Sequence, residues 1–242
     1  MKRPLFGKDR TSGFLMSAQV QTKRRTYNSS TVRPPRIRRM DANPQQQFWS
    51  GSFGDEYISR NVDESLLLSN VNMFSRILSH MPTLPERVLE FGANVGMNYL
   101  ALSRCVPSLQ FTGVEINATA CDELARHPVT AVHSSIEDFE SADSWDLVFT
   151  KGVLIHLNPE SLPAVYEKFA KFSQKYILVA VYYNPSPVSI DYRGEKDVLF
   201  KRDFAGEMLD SIDGLNLVDY GFVYRRANFP QDDISWFLME VK

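Results

Sequence analysis

Cysteine is almost absent from this chain of 242 residues: only Cys105 and Cys121 occur, in two segments whose apolar spacing reads as separate helices. Two thiols exclude a disulfide framework, and with four histidines at no ligand spacing they exclude a zinc site as well. No run approaches the roughly 20 apolar residues that a membrane-spanning helix needs. A secretory signal is also missing, because Phe14-Leu-Met-Ser-Ala-Gln-Val is short and polar-interrupted. The expected location is the cytoplasm.

Acid is scarce in one region only. Residues 1–40 hold 11 Lys and Arg against Asp9 alone, a charge of +10, so the overall −2 leaves −12 on the remainder. Residues 1–44 show Ser, Thr, Pro34-Pro35 and little apolar periodicity, the composition of a segment that cannot offset its chain entropy by burial. Disorder is expected there. A nucleic-acid-binding arm, an Arg-rich transit peptide, a solvated tail and a translation start at Met40 all fit the segment. The last two are preferred, since no aromatic residues interleave for base stacking. The rest, from about residue 45 to 242, has the composition of one folded domain, the whole chain being 43% hydrophobic and 23% charged.

Along that domain strands and helices alternate. A helix opens near Asn61-Val-Asp-Glu-Ser, with Leu67, Val71, Phe74 and Leu78 at steps of three or four. Arg87-Val-Leu-Glu-Phe reads as a strand and Met97 to Val106 as a helix; Leu109 to Glu115 as a strand and Ala118 to Arg126 as a helix. Val129 to His133 and Trp145 to Thr150 are further strands. A helix capped by Asn158 runs from Pro159 to Phe172, before the apolar run Lys175 to Tyr182, expected as a strand buried on both faces. This rhythm predicts a Rossmann-like, three-layer α/β sandwich whose seven-stranded sheet is mostly parallel. The end departs from it. Asn216 to Tyr224 and Ile234 to Val241 leave no room for a crossover helix, so they must form an antiparallel hairpin. That finish resembles class I methyltransferases and is unusual in nicotinamide-binding sheets.

Glu90-Phe-Gly92-Ala93-Asn94-Val-Gly96 lies at the first strand–helix junction, where an open α/β sheet takes its ligand. Gly92 permits a tight turn, and Gly96 permits close approach at the helix start. The dinucleotide fingerprint is broken, because Asn94 and Met97 stand where its second and third glycines belong. Glu90 would repel a pyrophosphate and attract the ammonium and sulfonium charges of S-adenosylmethionine. Glu115, 19 residues beyond Gly96, is at the place of a ribose-binding acid, with Ile116 beside it. Against this stands the reading of Glu90 and Glu115 as solvated strand-end acids. Ser135-Ile136-Glu137 is placed to cover an adenine edge, Thr150 and Lys151 to line the methionine end, and Gly152 to give backbone clearance. His156 offers a base or a hydrogen-bond donor. A packing role for it is preferred, since methyl transfer from a sulfonium needs little beyond positioning and desolvation.

Longer strings carry a family resemblance. Phe48 to Asn61, Glu90 to Gly96, Lys151-Gly-Val-Leu-Ile-His-Leu-Asn-Pro159, Tyr182-Tyr-Asn-Pro-Ser-Pro-Val, Tyr192 to Glu207 and Asn228 to Phe237 together resemble the pseudaminic acid biosynthesis-associated methylases, over roughly residues 45–242. The resemblance implies a class I enzyme that uses S-adenosylmethionine on a small sugar or nucleotide-sugar metabolite linked to nonulosonic acids. The acceptor mouth is expected over strands four and five. Tyr182 is the second candidate catalytic residue beside His156; Tyr57, Tyr183 and Asn184 would contact the acceptor, and Arg193, Lys201 and Arg202 would hold its carboxylate or phosphate. The competing reading makes these cations a solvated face with Glu195, Asp197 and Asp203. Phe48-Trp49 and Phe53 to Tyr57 are expected to fold over the cofactor as a lid.

A non-catalytic cofactor-binding or scaffold protein is the main alternative. A nicotinamide oxidoreductase is disfavoured by the broken glycine pattern, and nucleic-acid modification by the −12 domain and by the lack of an N/D-P-P-Y/F signature, which Tyr182-Tyr-Asn-Pro-Ser matches only superficially. No metal and no membrane partner is expected.

Overall fold

The computed structural model describes residues 44–58, 63–192 and 195–242, all within the second of two units, Met40–Lys242. The basic segment and Arg193 lie outside the described residues. Strands β1 (Arg87–Phe91), β2 (Gln110–Glu115), β3 (Thr130–His133), β4 (Trp145–Lys151) and β5 (Ser173–Val181) run parallel, while β8 (Leu215–Val223) and β9 (Ile234–Val241) join antiparallel. Their order is β3-β2-β1-β4-β5-β9-β8, so β9 sits between β5 and β8. This is the expected seven-stranded sheet with its terminal hairpin. The chain moves outward from β1 through β3 and then returns to β4 on the other side of β1. A crevice opens at that switch, beyond the carboxyl ends of β1 and β4.

Alternation along β5 shows why its apolar run is nearly continuous. Ile177, Val179 and Val181 pack into one core layer, Tyr176, Leu178 and Ala180 into the other. The first layer is filled by Phe91, Phe139, Phe169 and Phe172, under α6 (Leu162–Phe172) and α7 (Phe204–Ser211). The second holds Phe74, Leu102, Phe111 and Phe149, under α3 (Glu64–Leu78) and α4 (Met97–Cys105). Caps fix the helix starts: Asp63 accepts from the Ser65 amide, Asn117 from the Ala120 amide at α5 (Ala118–Leu124), and Asp203 from the Gly206 amide. Asn158 accepts from the Glu160 amide, as its sequence position predicts.

Three features were not anticipated. Helices α1 (Pro44–Ser50) and α2 (Ser52–Ile58) form in the aromatic segment, and the stretch between Asn184 and Phe204 holds the antiparallel pair β6 (Val188–Tyr192) and β7 (Glu195–Lys201). Helix α7 follows it. Among the described residues no helix is long and apolar enough to cross a membrane.

Candidate functional site

Two cavities meet beyond the strand ends. The first, about 710 Å³, lies at the switch point, and its walls include the 92–94 turn, Glu115, Ser135 to Glu137 and Lys151. Gly92 has φ +76°, and a Cβ there would come within 2.3 Å of Val153 Cγ2, so the turn requires glycine. Asn94 also has positive φ (47°), which aims its amide at Glu115 Oε2, 2.8 Å away. The Asn117 amide donates to the other oxygen, also at 2.8 Å. Burial pushes the Glu115 carboxyl up while these backbone donors pull it down. The carboxylate is thereby locked in place, with lone pairs left on both oxygens.

Several expected residues stand elsewhere. Gly96 does not line the cavity: a Cβ there would meet Leu124 and His127 at 3.0 Å, and its φ of +89° serves the turn and helix packing instead of ligand approach. Thr150 is fully buried and donates to the Phe91 carbonyl at 2.9 Å, stapling β4 to β1. Glu90 is not a solvated acid but sits fully buried, one layer behind the wall. Its Oε1 accepts from Asn98 Nδ2 at 2.5 Å, and its buried Oε2 has no hydrogen-bond partner among the described residues. Burial pushes its carboxyl to about 8; the same cause brings the nearby Lys151 ammonium down to about 8, against the pull of Glu90 and Asp232.

Ala93, Ile116, Ile136 and Gly152 do line the cavity, and Gly152 has open space where a Cβ would project. Ser135 lines it too, yet its hydroxyl is engaged with Asp138, donating to the carboxylate at 2.8 Å and accepting from the amide at 3.0 Å. Beside it Glu137 keeps a buried Oε1 without a hydrogen-bond partner among the described residues. Trp49 and Tyr57, from α1 and α2, form the opposite wall. Trp49 packs on His156 with ring centroids 4.4 Å apart, and Asn117 Nδ2 ties down Asp55 Oδ1 at 3.0 Å. Gly54 permits this fold-back, for a Cβ there would lie 2.0 Å from the Trp49 carbonyl.

The second cavity, about 890 Å³, shares Tyr182, Leu199, Arg225 and Asp232 with the first. Tyr182 donates its hydroxyl hydrogen bond to Asp232 Oδ2, and the Lys201 ammonium sits 4.9 Å from the Tyr182 ring centroid. Tyr183, Tyr220, Phe222 and Phe237 give the remaining wall an aromatic surface. Arg225 is paired with Asp233 at 2.7 Å. Of the acceptor residues expected from the sequence, Tyr183 and Lys201 line this cavity and Tyr57 the first. Asn184 lines neither, since its amide donates to the Ser186 carbonyl at 2.5 Å. Arg202 is likewise spent on structure, bonded to Glu207 at 2.5 Å while Tyr166 donates to the other Glu207 oxygen at 2.7 Å. Asn70, Asn98, Gln231 and Asp232 were missed. Only the pattern Gln231-Asp-Asp, just ahead of the last strand, gave a signal for any of them.

Residues 88–175 match the methyltransferase domain family. Among solved structures, the chain is similar to the plantazolicin methyltransferase bound to S-adenosylhomocysteine, at TM-score 0.59 and 14% identity over 82% of this chain and 94% of that one. The magnesium protoporphyrin IX methyltransferase of Synechocystis PCC 6803, also with S-adenosylhomocysteine, gives 0.59 and 12% over 81% and 98%. One curated relative is the ribosomal RNA small subunit methyltransferase C of Shewanella baltica, 50% identical over 44 residues. That match covers 18% of this chain, and the chain spans 13% of the relative's length. The fold is therefore that of class I, S-adenosylmethionine-dependent methyltransferases, and the family match runs from β1 to the start of β5.

Proposed function

We propose that this chain is an S-adenosylmethionine-dependent methyltransferase acting on a small molecule, with the cofactor in the first cavity and the acceptor in the second. The observation that carries this reading is the Glu115 carboxylate, fixed by two backbone amides at the end of β2. The other polar groups fit the cofactor as well. Among the described residues Trp49 Nε1 and Glu137 Oε1 are buried beside the cavity without hydrogen bonds, a cost of about 1–3 kcal/mol each that a polar ligand would remove.

When bound, S-adenosylmethionine supplies a methyl group on a positively charged sulfur. Glu115 would accept both ribose hydroxyls, and Glu137 would accept from the adenine amine. Gly92, Ala93, Asn94, Ile116, Ile136 and Gly152 shape the walls, Lys151 offers its ammonium to the carboxylate end, and Trp49 with Tyr57 excludes water. Where the cavities join, Asp232 takes the proton from an acceptor hydroxyl, and Tyr182, by donating to Oδ2, holds that carboxylate in position. His156, packed against Trp49 and absent from the second cavity, serves closure rather than proton transfer.

For the acceptor we propose an anionic sugar of the nonulosonic class. The aromatic wall suits sugar C–H faces, Lys201 suits an anion, and the resemblance to sugar-associated methylases points the same way. A folded part with charge −12 is poorly suited to nucleic acid. The test is a methyl-incorporation screen, read by mass, against free acidic sugars and nucleotide-activated sugars. Incorporation into one of them is expected. Cofactor binding with no transfer to any acceptor would instead favour a non-catalytic binding protein.

A further inference from the structure

Three carboxamides in the wall of the first cavity are joined head to tail. Gln231 Nε2 donates to Asn70 Oδ1 at 2.8 Å, Asn70 Nδ2 donates to Asn98 Oδ1 at 3.0 Å, and Asn98 Nδ2 donates to Glu90 Oε1 at 2.5 Å. They come from the loop before β9, from α3 and from α4, and they end on β1. Asn70 is 1% exposed and Gln231 5%. Every link donates in the same sense, toward the carboxylate, so each amide polarises the next and favours negative charge on Glu90. The same row has a second attachment. Residue 232 follows Gln231 directly, and its bond to Tyr182 forms the partition between the cavities.

Helix α3 has no need of such a row for its own stability. Its buried apolar residues Met73, Phe74, Ile77 and Leu78 already seat it on the sheet, whereas Asn70 places a polar group in the cavity wall. A purely structural role would weaken all ligands of the cavity alike. A role directed at charge would not, because a buried carboxylate backed by one amide has most to gain from a cation and little from a neutral group.

We propose that Asn70 is a positioning residue for the amino-acid end of the cofactor: it holds Asn98, which lines the cavity in front of the Glu90 carboxylate, so that this buried charge stands behind the place of the α-ammonium, and through Gln231 it anchors the loop that carries Asp232. The inference rests on the assignment of the first cavity to S-adenosylmethionine. Its test separates the two ideas by comparing S-adenosylhomocysteine with 5′-methylthioadenosine, which keeps the adenosine and sulfur but lacks the amino-acid group. In Asn70→Asp, which still accepts from Gln231 but cannot donate to Asn98, the affinity for S-adenosylhomocysteine by calorimetry is expected to fall about tenfold or more, and that for methylthioadenosine less than about twofold. Gln231→Met, which keeps the volume and cuts only the first link, should show the same selectivity at smaller size. Equal losses for both ligands, or no loss in either variant, would overturn the relay while leaving the cofactor site intact. Failure of the unaltered protein to bind either compound would overturn the cofactor assignment itself, and the relay with it.

Discussion

The two cavities are built by opposite means. The first is framed by the parallel half of the sheet, and its critical carboxylate is held by backbone amides whose positions follow from two tight turns. The second is framed by β7, β8, β9 and the loop before β9, and its surface is aromatic and partly open, with Tyr220 65% and Phe222 55% exposed. A site fixed by backbone is suited to one invariant ligand. A site made of side chains on a sheet edge and a hairpin is suited to an acceptor whose identity differs between relatives of the same fold.

If that division holds, substitutions should sort cleanly by cavity. The largest effect is expected at the partition. Asp232→Asn keeps the shape and removes the proton acceptor, so kcat should fall by about 10²–10⁴ while S-adenosylmethionine affinity stays within about twofold, as measured by steady-state kinetics beside calorimetry. A parallel loss of cofactor affinity would merge the two cavities into one site.

Glu90→Gln probes the first cavity in the absence of ligand. Because the folded carboxyl is pushed from 4.5 up to about 8, the native state holds its proton more tightly than the unfolded chain. Native stability attributable to Glu90 is thus lost as pH rises from about 4.5 to 8. Removing the charge should raise the melting temperature, by a margin that widens between pH 5 and pH 8 and then levels off, while weakening cofactor binding. Melting curves at pH 5, 6.5 and 8 check this; a margin that shrinks over the interval would contradict it.

Smaller effects belong to the second cavity. Tyr220→Ala should raise the acceptor KM about threefold to tenfold at unchanged cofactor affinity, through the loss of one stacking face. Asn184→Ala, at a residue that reaches neither cavity, should change both parameters by less than about twofold in the same assay.

The contrast also accounts for what the sequence revealed. The order of β1 to β5, the terminal hairpin, the broken glycine pattern and the place of Glu115 are all local signals, set by periodicity and by turn chemistry within about 30 residues. Gly96 and Thr150 were placed correctly in the chain but assigned the wrong neighbours, because which face a residue presents depends on α5 and β1 packing against it. Arg202 and Asn184 were misjudged for the same reason: Glu207 and the Ser186 carbonyl capture them, and neither partner is evident until α7 and the loop are folded. The amide row was least legible of all. Two of its three links span 28 and 161 residues, and asparagine or glutamine at isolated positions carries no pattern.

The assignment of the first cavity stands or falls most directly on the titration of S-adenosylmethionine into the intact protein and its Glu115→Ala variant. Saturable binding to the former, weakened at least about a hundredfold in the latter, is expected from the loss of a carboxylate that would bond two hydroxyls. Equal affinity in the two proteins would contradict it.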